Sequence, residues 1–259
     1  MTKDLAGKRA WVTGGGKGIG RAIARELSAR GAEVLITGRD ERALAETVGE
    51  IACAAGVARH AVCDVRDRAA VQAAADRAIE LFGGLDVVVA NAGVSGRVDL
   101  GDAADRARDI VETNLMGAYY TFEAALPRME GPGRLLATSS VLAKFGVPGY
   151  AAYCASKAGV LGLVRAVAHE AAPKKITANA IVPGWVDTRM ADDGLAEIGR
   201  AIGKTPAEVK AEAVKQFPLG RFVEPEEVAA FVAFLAGPGG AAITGQALSI
   251  CGGATAFGG

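Results

Sequence analysis

The chain has 259 residues, 51% of them apolar, with 29 basic side chains balanced by 29 acidic ones. That composition suits one globular domain over residues 1–259, and a neutral charge without a Lys/Arg block argues against nucleic acid or a membrane as partner. The four scattered cysteines and two separated histidines form no metal-ligand cluster, so buried reduced thiols and no metal are expected. The chain opens without a charged segment leading into an apolar one, and no apolar run reads as long enough for a bilayer, so a cytoplasmic location is expected.

In chain order, short apolar runs alternate with stretches of helical period. "RAWVT" precedes a helix from Ile19 to Arg30, "EVLIT" one from Glu41 to Ala55, and "ARHAV" one from Arg68 to Phe82. "LDVVVAN" leads into a helical region from about Ala103 to Met129, and "GRLLATSS" into one from Ala151 to Ala172. "ITANAIVPG" leads into a polar helical region, and "QALSI" closes the pattern. Seven strands with helices between them predict an α/β fold, a Rossmann-like doubly wound parallel sheet with helices on both faces. The unbroken "DVVVA" fits a central strand buried on both sides. Residues 185–217 are charged and helix-forming with a weak apolar face, which reads either as a lid over a site or as a pair of surface helices. Trp185, Met190 and Phe217 are then either pocket walls or core beneath it.

"TGGGKGIG" links the first strand to the first helix, with Gly14, Gly18 and Gly20 spaced GxxxGxG and Ile19 opening the helical face. A glycine turn there lets the backbone approach a pyrophosphate, whose charge the free N–H groups and positive helix end neutralise. No Walker lysine followed by Ser/Thr is present, which argues against phosphoryl transfer. At the end of the second strand, Gly38 and Arg39 stand where an acid would receive a ribose 2′-hydroxyl. Arg39 and Lys17 suit a 2′-phosphate, so NADP(H) is expected over NAD(H). Asp40 reads as one residue late and too far round the turn.

Tyr153 and Lys157 lie four apart, on one face of a helix, and Ser140 ends a strand before them. A hydride transfer to a carbonyl also needs a proton donor at the oxygen, and a phenol serves if a neighbouring ammonium favours the phenolate. His60 and His169 sit in different elements and receive no role, and no Gly-x-Ser-x-Gly elbow surrounds Ser139 or Ser140. Lys144, Arg97, Lys174 and Lys175 remain unassigned surface cations.

The glycine turn, "NAG" at Asn91 to Gly93, "ETN" ending at Asn114, Ser140, Tyr153, Lys157, "PGWVDT" from Pro183 and the closing "ITGQALSICGG" together resemble the short-chain dehydrogenase/reductase family over nearly the whole chain. The resemblance implies a catalytic set of Asn114, Ser140, Tyr153 and Lys157. In it Tyr153 is the general acid in reduction and base in oxidation, and Ser140 binds the substrate oxygen. Lys157 lowers the Tyr153 pKa and holds the nicotinamide ribose, and Asn114 positions a water next to Lys157. For the cofactor it implies Asp64 and Val65 at the adenine, Asn91, Ala92 and Gly93 at its ribose, Pro183 and Gly184 at the nicotinamide, and Val186 with Thr188 at its carboxamide. Asp64 also reads as a helix N-cap.

The texture is similar to that of 3-oxoacyl thioester reductases, which implies a small-molecule ketone or alcohol substrate. "FVEPEEVAAFVAFLAG", with Pro225 just inside a helix start, resembles the family's oligomer surfaces and implies a homotetramer. An NAD-dependent secondary alcohol dehydrogenase and a catalytically silent nucleotide sensor are the other readings; the first lacks an acid at Gly38, and the second would fit a chain missing a catalytic residue.

Overall fold

Strands and helices alternate as the hydrophobic periods require. The computed structural model describes residues 3–101 and 104–256; Ala103, where the fourth helix was expected to begin, lies outside them. The strands are β1 (Arg9–Thr13), β2 (Glu33–Gly38), β3 (Val57–Val62), β4 (Val87–Ala90), β5 (Gly133–Thr138), β6 (Ile176–Pro183) and β7 (Ala247–Ile250). The helices are α1 (Gly18–Ala29), α2 (Glu41–Cys53), α3 (Arg68–Phe82), α4 (Ala104–Val111), α5 (Gly117–Arg128), α6 (Ala151–Ala171), α7 (Arg189–Ile202), α8 (Pro206–Val214) and α9 (Pro225–Ala236). A wide π turn, Glu112–Met116, joins α4 to α5.

All seven strands are parallel, in the order β3-β2-β1-β4-β5-β6-β7. Side chains alternate between two buried faces, which is why the central strands read as continuous apolar runs. Val12, Val87 and Val89 enter the core shared with Ile23 and Leu27 of α1 and Val228 and Val232 of α9. Trp11 and Val88 enter the opposite core, shared with Val71 of α3, Phe122 of α5 and Val160 of α6. The strand order reverses between β1 and β4, and the crevice beyond their carboxyl ends is where an open α/β sheet takes its ligand.

Two expectations are corrected. The helix behind Asp64 is capped by Asp67, whose carboxylate accepts the N–H groups of Ala69 and Ala70. Asp64 sits three residues earlier, just past β3, outside the cap position. Residues 151–174 are long and apolar enough, at a mean hydropathy of 1.2, to cross a bilayer by length and composition. In the fold this segment packs on β5 and β6, because its apolar side chains complete the core there and it carries a buried lysine.

The carboxyl ends of β1 and β4 are stitched by one hydroxyl. Thr13 Oγ1 accepts the Asn91 N–H at 3.0 Å and the Ala92 N–H at 3.1 Å. Thr13→Val keeps the shape and leaves both N–H groups without their acceptor, so urea denaturation is expected to show a loss of about 1–3 kcal/mol.

Candidate active site

Beyond β1 the chain turns through Gly14, at φ +69°, into α1. A Cβ at Gly14 would lie 2.8 Å from Ala92 Cα, and one at Gly20 would overlap the Gly14 carbonyl. The turn therefore closes on itself and on the Asn91 to Gly93 segment only because both positions lack side chains. Asn91 Nδ2 donates to the Thr13 carbonyl at 3.1 Å, and its Oδ1 accepts Thr138 Oγ1 at 3.1 Å, which ties β1, β4 and β5 together. Ile19 packs on the α1 core. Lys17 at the N-cap makes no side-chain cap, and the first turn of α1 holds no acid. Its leading N–H groups therefore stay open to an anion, a cradle that fits the pyrophosphate of a dinucleotide.

At the end of β2, Arg39 is exposed and makes no ion pair among the described residues. Lys17 is less free than the sequence reading held. Its ammonium pairs with Asp40, which reaches the glycine turn after all while capping α2 through the Ala43 N–H. The pair holds the Asp40 carboxyl below its usual range. Past β3, Asp64 is gripped by Arg66, which donates to both carboxylate oxygens and to Asp109 of α4 at 2.7 Å. That grip holds the Asp64 carboxyl low. Val65 beside it is buried.

The expected catalytic side chains meet at the carboxyl ends of β4 and β5. The π turn places Asn114 inside, where its Oδ1 accepts the Val94 N–H at 2.8 Å and its Nδ2 donates to the Val94 carbonyl and to Ser156 Oγ. Both ends of the amide thus brace the segment after Gly93. A Cβ at Gly93 would lie 3.1 Å from Asn114 Oδ1 and 3.3 Å from Lys157 Nζ, so its missing side chain is what lets these groups approach. Lys157 is 4% exposed and donates to the Thr138 carbonyl at 2.9 Å. Ser139 Oγ donates to the Lys157 carbonyl at 2.8 Å, which fixes α6 on β5 at that residue. Ser140 caps a short 3-10 turn by accepting the Leu142 N–H at 3.2 Å.

Tyr153 is half-buried one helical turn before Lys157, with the ammonium 5.8 Å from its ring centroid. Burial pushes the phenol up to about 12, and the Ser140 hydroxyl beside it pulls the other way. Burial also pushes the Lys157 amine down to about 8. In this arrangement burial is the larger influence on the phenol. The amine is turned onto the Thr138 carbonyl, and desolvation opposes a charge on either group.

Pro183 ends β6, the Gly184 N–H donates to the Ile250 carbonyl at 3.0 Å, and buried Val186 bridges to Val223. Thr188 opens α7 close to the glycine turn, its Cγ2 3.4 Å from where a Gly18 Cβ would stand. Trp185 stacks on Phe222 and Phe217 meets the same ring edge-on, so both are core of the α7–α8 segment, whereas Met190 is 47% exposed. Glu197 of α7 accepts the Arg97 N–H at 3.0 Å and the Arg106 guanidinium at 2.8 Å, tying α7 to the segment after β4. Sequence reasoning missed Glu197 and the supporting hydroxyls of Thr13, Thr138, Ser139 and Ser156. Only the position of "TSS" at a strand end hinted at the middle two.

The buried amine makes a pH prediction with a definite sign. Its native value of about 8 lies below its ordinary 10.5, so between these the unfolded chain binds more protons and stability rises with pH. Urea melts between about pH 7 and pH 10 are expected to show this protein gaining on Lys157→Met by up to about 3 kcal/mol. Parallel curves would mean that the amine is not buried as described.

A family model described as enoyl-(acyl carrier protein) reductase matches residues 14–255. A Streptomyces coelicolor protein named as a ketoacyl reductase is 39% identical over 249 residues, covering 94% of this chain and 95% of that protein. The 3-oxoacyl-(acyl-carrier-protein) reductase FabG of Staphylococcus aureus is 36% identical over 250 residues, covering 95% and 97%. Among solved structures, a variant actinorhodin polyketide ketoreductase with NADPH superposes with a TM-score of 0.93 at 37% identity, covering 99% of this chain and 100% of that one. A sheet of this order, a glycine turn at its switch point and full-length similarity of this kind have one reading: the chain belongs to the short-chain dehydrogenase/reductase family of oxidoreductases.

Proposed function

We propose that this enzyme is an NADP(H)-dependent reductase that converts a ketone, in the first place a 3-oxoacyl thioester, into the secondary alcohol. The observation that carries this is the gathering of Ser140, Tyr153 and Lys157 at the end of β5, with Lys157 close to Gly93. Its similarity to proteins named ketoacyl reductase supports the substrate class.

A bound nicotinamide supplies the hydride to the carbonyl carbon. Tyr153 gives its phenolic proton to the carbonyl oxygen as negative charge develops there, and Ser140 Oγ donates a hydrogen bond to the same oxygen. Lys157, with an amine near 8, stabilises the phenolate left behind and stands ready to return a proton to it. Burial keeps the Tyr153 phenol protonated, the form a general acid in reduction requires. Asn114 holds the segment after Gly93 and, with it, the wall beside Lys157.

For the cofactor, Gly14, Gly18, Ile19 and Gly20 hold the pyrophosphate, and Asp64, Val65, Asn91, Ala92 and Gly93 the adenosine half. Tyr153 and Lys157 hold the second ribose, and Pro183, Gly184, Val186 and Thr188 the nicotinamide. Arg39 is the uncommitted cation for a 2′-phosphate, with Lys17 sharing its charge with Asp40. Residues 185–217 act as a lid, and the protein works in the cytoplasm with neither nucleic acid nor membrane as partner. Edge strand β7 and the exposed Phe234 of α9, stacked on Phe231, support a homotetramer.

NADPH oxidation is to be followed with 3-oxoacyl thioesters and with cyclic and aromatic ketones. Tyr153→Phe is expected to lower kcat at least about a hundredfold while nucleotide binding persists; full activity in it would sink the mechanism. Arg39→Glu is expected to shift the NADPH/NADH preference at least about tenfold toward NADH. An unchanged ratio would move the 2′-phosphate site to another residue.

A further inference from the structure

Tyr150 is 6% exposed, yet its hydroxyl has no hydrogen-bond partner among the described residues. A buried hydroxyl left unpaired costs stability, so its persistence asks for a use. The other such atom, Thr177 Oγ1, lies near the start of β6, at the end of the sheet away from the site. Tyr150 stands at the site itself. It caps α6, three residues before Tyr153, and the two rings meet edge to face with centroids 6.5 Å apart.

Glu197, Arg97 and Arg106 stand near enough for their charges to reach the phenol. These groups are already committed to one another. One Glu197 oxygen takes the Arg97 N–H and the other the Arg106 guanidinium, while the Arg97 guanidinium is paired with Asp99. None of them supplies a partner for the Tyr150 hydroxyl, and ring packing against Tyr153 fixes its position.

We propose that Tyr150 is a substrate-binding residue that sets specificity: its hydroxyl donates to a second oxygen on the substrate, the acyl oxygen that a 3-oxoacyl thioester carries two carbons from its ketone. This rests on the ketone-reductase reading given above. With the ketone oxygen between Tyr153 and Ser140, the neighbouring phenol on the same helix end meets the neighbouring carbonyl of the same molecule. A monoketone leaves the buried hydroxyl unpaired in the complex. Such a site discriminates strongly, because the penalty falls on whichever substrate lacks the partner.

The test compares the unaltered protein with Tyr150→Phe on two probes, the N-acetylcysteamine thioester of 3-oxobutanoate and cyclohexanone. The kcat/KM ratio of thioester to monoketone is expected to fall about tenfold in the variant, mostly through KM, with the melting temperature equal or higher because no protein hydrogen bond is lost. In the unaltered protein, a 3-oxohexanoyl thioester is expected to outrun its 5-oxo isomer by a similar factor, a comparison that needs no variant. An unchanged ratio, or equal rates for the two isomers, overturns the proposal. A lower melting temperature with an unchanged ratio assigns the hydroxyl to stability instead. If the unaltered protein reduces neither probe, the ketone-reductase reading fails and this one with it, whereas reduction of both without discrimination defeats this one alone.

Discussion

A lysine amine buried against the end of a strand governs the site. Removing an ammonium from water is costly, and Lys157 keeps only the Thr138 carbonyl as its hydrogen-bond acceptor among the described residues. The position is held because α6 is fixed on β5 by Ser139 and because Gly93 leaves room for the amine. Shifting either element would move the amine away from Tyr153. The neighbouring strand ends are correspondingly stitched by hydroxyls and an amide, Thr13, Thr138 and Asn91, rather than by apolar packing alone.

The same burial orders the proton chemistry. Desolvation raises a phenol and lowers an amine, so both groups tend toward their neutral forms. In the proposed reduction, a neutral phenol beside an amine near 8 would release a proton as negative charge appears on the substrate oxygen and be recharged afterwards. Ser140 opposes the upward push on the phenol, an electrostatic part that stands beside the one proposed for it at the substrate oxygen.

Around this centre, charges are mostly spent on one another. Arg66 spans Asp64 and Asp109, and Glu197 ties α7 to the segment after β4. Exposed pairs of this kind contribute little stability singly, but they set where loops rest. The α7–α8 segment packs with Phe222 in a small core of its own, with Ala191, Leu195 and Val209, while the flanking Val186 and Val223 enter the core beneath the sheet.

What the sequence determined by itself was whatever short-range pattern fixes. Period-2 and helical runs predicted the seven strands and their helices, because burial on both faces leaves a continuous apolar signature in β4 and alternation with helices demands parallel crossovers. The glycine turn and the Tyr153 and Lys157 spacing were legible for the same reason, since both are set within one or two turns of chain. Only the tertiary structure decided which charges meet. Lys17 looked free until α2 brought Asp40 to it, Arg106 had no partner until Glu197 arrived from 91 residues away, and Tyr150 was one aromatic among others until packing buried its hydroxyl without a partner. The protonation balance at Tyr153 is of the same kind: how a neighbouring charge weighs against desolvation is fixed by burial, which no local spacing encodes.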